Sequence, residues 1–372
     1  MFLFLFPIIF TFVFFLLTVK TSYKGNVVFI FLLSFLIFFG GLRHETGQDW
    51  QAYEEYFSKI NISYNIINSY SETINVGSNL QFEPGYFLLN YIFKFLGFSY
   101  HLVFLFASFF TLFSLYYLIR LIPINIFFVL LGYLSYSYLL LHFAQTRQSI
   151  AIGFFLIGIG MYINYKNFLL SLLVCSISVF FQTSAVLYVI MFCLVFYARV
   201  IKMNIGLVLT SFLLISYFFI KFIPLDLVLP LLPISVIVKI LIYQDNQTIQ
   251  ASGQFFFSFF LFVTAFFIFK YSKDQFQSKY FLVHSLALVS IFFTAFFSLV
   301  IPSNYAIFSR LYELASIFQA ISLALIYKYN KNNFIVSFFF YSTSVIFILS
   351  FLRFFLINGH EYLPYRTLFS SI

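Results

Sequence analysis

Residues 26–57 read NVVFIFLLSFLIFFGGLRHETGQDWQAYEEYF, and the change of character at Arg43 decides how the chain is built. Asn26 to Leu42 carries no charge and no alternation of apolar and polar positions, so it does not read as a half-buried strand. Lipid offers the backbone no hydrogen-bond partner, which leaves a membrane-spanning helix. From Arg43 the composition inverts, and Arg43, His44, Glu45, Asp49, Glu54 and Glu55 crowd into a short stretch. Trp50, Tyr53 and Phe57 then recur at i, i+3 and i+7, the spacing of one helical face. Such a helix lies along a membrane surface. Two readings are open: a loop cap whose charges face water while its aromatics anchor among headgroups, or a site where the chain concentrates its chemistry.

Composition sets the class. Hydrophobic residues make up 63% of the chain and charged residues 8%, against about 25% in an ordinary globular protein, and the mean hydropathy is +1.01. The expected fold is all-α, a polytopic helical membrane protein. The net charge of +9 does not imply a nucleic-acid partner, because the basic residues sit mainly in short turns between apolar segments and there orient the chain. Cys175 and Cys193 lie inside apolar runs, which suits core packing rather than a disulfide. The five histidines show no zinc-ligand spacing. No metal and no cofactor are expected.

Phe2 to Val19 is expected to be a retained helix rather than a signal peptide, since no basic segment precedes it and no small-residue cleavage site ends it. Lys20 and Lys24 then flank a turn into Asn26 to Leu42. Pro84 to Phe98, which contains Asn90 and Lys94, is short for a span and reads as a re-entrant or interfacial helix. The further spans are His101 to Ile119, Asn125 to Leu141, Ser149 to Tyr165, Asn167 to Phe181, Ser184 to Tyr197, Met203 to Ile220, Phe255 to Phe269, Tyr280 to Ile301, Leu311 to Tyr327 and Phe334 to Leu352. That makes about twelve transmembrane helices in a single integral domain over residues 1–372, with extracytoplasmic loops at 43–100 and 221–253. In this register the cytoplasmic turns collect lysines and arginines with Asp274 as their only acid, as the positive-inside rule requires. Counting Pro84 to Phe98 as a span would reverse every later loop.

The outer side then gathers polar groups from distant parts of the chain. Arg43, Asp49 and Glu83 lie in the first loop; LLHFAQTRQS brings His142 and Arg147 to the mouth of a helix; Gln182, Thr183 and Ser184 form a turn. Arg310 and Glu313 stand at the start of a later span, and Arg353, His360, Glu361, Tyr365 and Arg366 in the tail. Any one of these arginines reads as an interfacial snorkeler, and Arg310 and Glu313 as a simple i, i+3 pair. Their number on one side is what the positive-inside rule should deplete, and guanidinium forks suit an anionic ligand such as phosphate or diphosphate.

Taken in order, Arg43 with Gln48-Asp49-Trp50-x-x-Tyr53, Glu83-Pro84-Gly85-Tyr86 followed by Leu88-Leu89-Asn90, Thr146-Arg147-Gln148-x-Ile150-Ala151, Ser309-Arg310-Leu311-Tyr312 and Leu363-Pro364-Tyr365-Arg366 resemble the bacterial polysaccharide polymerases of the Wzy type, most closely their EpsG-like branch. The pieces are short, but they keep the family's order over almost the whole chain. Where that family often carries His before a Ser/Thr pair, this chain carries Gln182.

The resemblance implies a glycosyltransferase at the outer face of the bacterial cytoplasmic membrane, on a GT-C-like arrangement of helices. It moves a glycan from polyprenyl diphosphate to another lipid-linked repeat unit, as in O-antigen, capsule or exopolysaccharide assembly. The partners implied are the polyprenyl-diphosphate-linked oligosaccharide, membrane lipid, and a flippase and chain-length regulator of the same system. Asp49 and Glu83 are the candidate bases, with His142 third; Arg43, Tyr53, Arg147, Gln182, Arg310, Tyr365 and Arg366 are the candidate substrate-binding residues. The absence of a nucleotide-binding fingerprint or a DxD pair agrees with a lipid-phosphate donor used without metal. The competing class is a transporter, such as a flippase of lipid-linked saccharides.

Overall fold

The computed structural model describes residues 2–20, 25–75, 82–200, 251–272, 280–300, 305–363 and 365–367. They form an all-helical membrane protein, with two residues of strand on each side of a single short pairing. In chain order the elements are α1 (Phe2–Lys20), α2 (Asn26–Gly41), β1 (Arg43–His44), α3 (Trp50–Lys59), α4 (Ile66–Asn75), α5 (Pro84–Phe95), α6 (Tyr100–Arg120), α7 (Ile126–Phe143), α8 (Thr146–Tyr165), α9 (Phe168–Phe181), α10 (Thr183–Val200), α11 (Ala251–Tyr271), α12 (Phe281–Val300), α13 (Tyr305–Tyr329), α14 (Phe334–Asn358) and β2 (Arg366–Thr367).

The helices start where the chain supplies a cap. Asn125 accepts from the amides of Phe127 and Phe128 at 3.0 and 3.2 Å, Asn167 from Leu170 at 3.1 Å, and Asn333 from Ile335 and Val336 at 3.0 and 3.3 Å. Each satisfies amides that the helix leaves unpaired, a contribution of about 1 kcal/mol. Inside the spans, hydroxyls such as those of Thr11, Thr111 and Thr264 return to the carbonyl four residues earlier and so find an acceptor within their own helix. α7 widens to π geometry over Tyr133–Ser137.

Among the described residues, α6, α7, α8, α10, α13 and α14 are long and apolar enough to cross a membrane by length and composition; shorter apolar helices include α1, α2 and α9. Every expected segment coincides with a helix except 203–220, which lies outside the described residues, as does 221–250 of the second expected loop. Residues 251–253 open α11. α5, with its 12 residues, spans about 18 Å against the ~30 Å of a hydrocarbon core, as its reading as a short interfacial helix requires. Boundaries read from charge stop too early. α8 begins at Thr146 instead of Ser149, α13 begins at Tyr305 and so encloses Arg310, and α14 runs to Asn358 and encloses Arg353. Backbone hydrogen bonding carries a helix past the last apolar residue, and side-chain charge does not end it.

The chain forms two compact units, Met1–Val189 with Asn330–Ile372, and Ile190–Tyr329. In the first, α8 packs between α6 and α9, α2 lies on α6, α1 on α7, and α14 on the π segment of α7, while α5 leans on α6 and α9. An aromatic core of Tyr53, Tyr56, Phe57, Phe82, Tyr86, Phe87 and Phe104 joins the loop helices to α6. In the second unit α12 packs between α11 and α13.

Candidate active site

The site is built around a sharp turn after α2. Arg43 and His44 pair antiparallel with the tail, Arg43 opposite Thr367 and His44 opposite Arg366. The tail is fastened further by Gly47 N to Glu361 O at 3.1 Å, Arg366 N to Thr46 Oγ1 at 3.1 Å, Arg366 Nη1 to Glu45 Oε2 at 2.5 Å, and a hydrogen bond from Gln48 Nε2 to Glu361 Oε2. This bracket holds Arg43, which is fully buried. Its Nη1 donates to Thr46 O at 2.7 Å and Phe143 O at 2.5 Å, its Nη2 to Thr146 Oγ1 at 3.4 Å, and the guanidinium lies 4.2 Å from the ring centre of Phe104. Phe143 ends α7 and Thr146 opens α8, so the cation rests on a C-terminal carbonyl, where the helix dipole is negative. Gly47 makes this possible: at its φ of +101° a Cβ would sit 2.0 Å from Phe143 O and 2.6 Å from Arg43 Nη1.

Burial pushes the Arg43 guanidinium down to about 10, against the raising influence of Tyr53 and Asp49, so it is a cation at neutral pH.

Arg147, in the first turn of α8, is the second cation. Its Nη1 donates to Glu83 Oε2 at 2.5 Å, and its guanidinium lies 4.3 Å from the ring centre of Phe82. The charge and donor groups of Arg147 act on the Tyr53 phenol, which ties Tyr53 electrostatically to the start of α8. Glu83 precedes Pro84 at the start of α5, the position where proline's missing N–H costs nothing. Its other oxygen accepts from the backbone N–H and the hydroxyl of Thr183, both at 3.0 Å, at the start of α10. Burial alone would raise the Glu83 carboxyl; the Arg147 charge and the Thr183 donors outweigh it and hold the group below its ordinary value. Tyr53 is shifted the other way, its phenol pushed up mainly by burial, so it is a neutral hydroxyl at pH 7.

Asp49 precedes α3, is exposed, and does not cap it; its charge acts on both Arg43 and Tyr53. The result is an alternating set, Asp49, Arg43, Tyr53, Arg147, Glu83 and Thr183, where α5, α8 and α10 begin. A negative ligand here meets two guanidiniums, a neutral phenol and the amide ends of helices.

The other expected site residues lie elsewhere in this geometry. His142 is not at the mouth of a helix, because α7 continues to Phe143 and carries it inside. It is 2% exposed, with Nδ1 3.1 Å from Ser108 Oγ and Nε2 2.5 Å from Tyr133 Oη, so both ring nitrogens are engaged. Gln182 is buried at the end of α9, and it is the next residue, Thr183, that reaches Glu83. Tyr365 donates to Phe39 O at 2.7 Å and packs on Phe4 and Phe39, while Arg366 is exposed and paired with Glu45. Arg310 belongs to the second unit, on α13, where its charge acts on the buried Glu313. The sequence assigns no site role to Thr46, Gly47, Phe82, Phe104, Thr183 or the buried pair Gln148 and Tyr188, whose side chains are hydrogen-bonded. Of these, only Thr183 carried a signal, as a polar residue directly after an apolar helix.

The described residues thus form a polytopic helical membrane protein whose guanidiniums and carboxylates pair at the starts of helices, an arrangement suited to an anionic ligand. The EpsG family model matches residues 26–367, and the chain belongs to the EpsG family, whose members point to polysaccharide biosynthesis and glycosyltransferase-like polymerases. No curated protein and no solved structure matches it.

Proposed function

We propose that the protein is a polysaccharide polymerase that joins polyprenyl-diphosphate-linked oligosaccharide repeat units at the outer face of the cytoplasmic membrane, without a metal ion. The observation that carries this reading is the meeting of two guanidiniums in the first turn of α8, Arg43 hydrogen-bonded to Thr146 and Arg147 next to it in the chain, in a member of the EpsG family. In the reaction an acceptor hydroxyl attacks the anomeric carbon of the donor, the bond from that carbon to the diphosphate oxygen breaks, and the hydroxyl proton passes to a base. Charge grows on the departing diphosphate, and Arg147, Tyr53 and Arg43 are aimed at that charge.

Asp49 is the base in this account. It is exposed, and its charge acts on both Tyr53 and Arg43. Before the donor binds, Glu83 holds the Arg147 fork in place. Arg366, at the rim beside Glu45, and Gln182 and Tyr365, which support the bracket and the turn, act through positioning. The polyprenyl chain lies against apolar helices.

A flippase reading has one observation in its favour: the second unit buries Glu313, Ser316, Gln319 and Ser322 on one face of α13, within a span. Deleting the gene separates the two. A polymerase mutant leaves single repeat units on surface or lipid, as expected here; a flippase mutant traps them in the cytoplasmic leaflet. The sidedness is tested with Ser71→Cys, expected to react with an impermeant thiol reagent from outside, and Asn332→Cys, expected not to.

A further inference from the structure

The Glu83 carboxylate occupies a set of donors that suits a phosphate: the backbone N–H of Thr183 and its hydroxyl, each at 3.0 Å, and Arg147 Nη1 at 2.5 Å, where α5, α8 and α10 all begin. A helix-start amide, a hydroxyl and a guanidinium are the groups that take the oxygens of a phosphate ester. The neighbouring cations are not saturated by the protein. Arg43 is wholly buried with no acceptor on its Nε, and the buried Nε of Arg147 has none either. Yet Arg43 and Arg147 are balanced in charge by Asp49 and Glu83. A diphosphate added to this neutral set gains little net attraction unless one of the two carboxylates gives way. Asp49 is exposed and makes no side-chain cap on α3, whereas Glu83 occupies the seat itself.

We propose that Glu83 is an internal stand-in for the ligand, and that a phosphate group of the diphosphate donor displaces its carboxylate from Thr183 and Arg147 on binding. This deepens the polymerase reading and rests on it for the identity of the ligand. Thr183 thereby becomes a phosphate-binding residue. The Glu83 side chain rotates away while its backbone stays at the start of α5, and the seat gains one unit of positive charge for the incoming anion. In the empty enzyme the carboxylate keeps the buried Arg147 paired, which removes the penalty of an isolated buried cation.

The test uses the purified full-length protein in lipid nanodiscs, with inorganic pyrophosphate and farnesyl diphosphate as probes. Glu83→Gln keeps the shape of the side chain and removes the competing charge, so both probes are expected to bind about tenfold more tightly than to the wild type. Thr183→Val in the same background is expected to cancel most of that gain. A gain for farnesyl diphosphate alone also supports the seat and assigns it to the lipid-borne group. Unchanged or weaker binding to Glu83→Gln overturns the proposal, because a purely structural clamp loses its grip on Arg147 when the charge goes. If Glu83→Gln does not fold, Thr183→Val in the otherwise wild-type chain reads the same seat: weaker binding supports it and unchanged binding overturns it. The two readings fail separately. Polymer synthesis by an enzyme whose Glu83→Gln variant shows no gain sinks the displacement alone; the gain in a protein that makes no polymer from lipid-linked units sinks the polymerase alone.

Discussion

The two units handle buried polarity in opposite ways. In the first, charged groups meet at helix starts and are paired: Arg43 with carbonyls and Thr146, Arg147 with Glu83, Glu83 with Thr183. In the second, polar groups run along one face of α13, where Ser309, Glu313, Ser316, Gln319 and Ser322 are all buried at intervals of three and four. Two of the hydrogen bonds there join neutral groups: His284 Nδ1 lies 2.7 Å from Ser322 Oγ, and Gln319 Nε2 donates to Thr264 Oγ1 at 3.3 Å. Helix starts offer free amides and partial positive charge, so a carboxylate is stabilised there. Mid-span, those amides are already used, and hydroxyls and amides are the less costly choice. Charge in the first unit therefore reads as chemistry, and polarity in the second as packing.

The largest effect expected from this contrast is catalytic. Asp49→Asn should slow transfer by roughly 10²–10⁴-fold while leaving the melting temperature unchanged, since general-base catalysis has that reach and an exposed carboxylate adds little to stability. Glu313→Gln in the second unit should change transfer by less than about tenfold. A larger loss from Glu313→Gln than from Asp49→Asn would invert the comparison and favour transport, and both are measured with purified protein and a lipid-linked repeat unit.

Next comes stability. Gly47→Ala places a methyl 2.0 Å from Phe143 O and 2.6 Å from Arg43 Nη1, at a φ of +101° that alanine resists. It breaks the seat of a buried cation, for which a cost of about 3–5 kcal/mol is expected in a detergent unfolding assay. Retained stability would show that the Arg43 contacts are dispensable.

The pH dependence is a smaller effect. The folded Glu83 carboxyl titrates below its ordinary value, so its contribution is complete above the unfolded carboxylate range and is lost as pH falls through the folded value. Thermal stability should decline on acidification below about pH 4.5 in the wild type and decline less in Glu83→Gln. An equal decline in both would mean that Glu83 is not the group concerned. Smallest of all, Gln319→Leu removes one hydrogen bond and an amide oxygen that is buried with no donor among the described residues, so it should alter stability by less than about 1 kcal/mol.

Much of the fold was legible because a span announces itself locally: Asn26 to Leu42 needs no partner to be read as helix. The candidate site residues Arg43, Asp49, Tyr53, Glu83 and Arg147 were also legible as charge and aromatic groups out of place in so apolar a chain, and they gather around the first turns of α3, α5 and α8. What the sequence concealed is pairing across distance. Arg43 binds a carbonyl of Phe143, and a backbone carbonyl looks the same under every side chain. Thr183 reaches Glu83 across a hundred residues, with no periodicity to announce it. His142 looked like an open ligand because the end of α7 was drawn at Leu141, and Tyr365 and Arg366 looked like ligand contacts because nothing local shows that the tail returns to β1.

The central claim is that the guanidinium fork of Arg147 stabilises the departing diphosphate, and Arg147→Lys tests it most directly, since lysine keeps the charge and loses the fork. With purified protein and a lipid-linked repeat unit, the variant is predicted to fold and insert normally and to form polymer at least about 10²-fold more slowly, the loss of roughly 3 kcal/mol of transition-state stabilisation. Full-length polymer at the wild-type rate from Arg147→Lys would contradict the account and leave Arg147 as a cation that only pairs with Glu83.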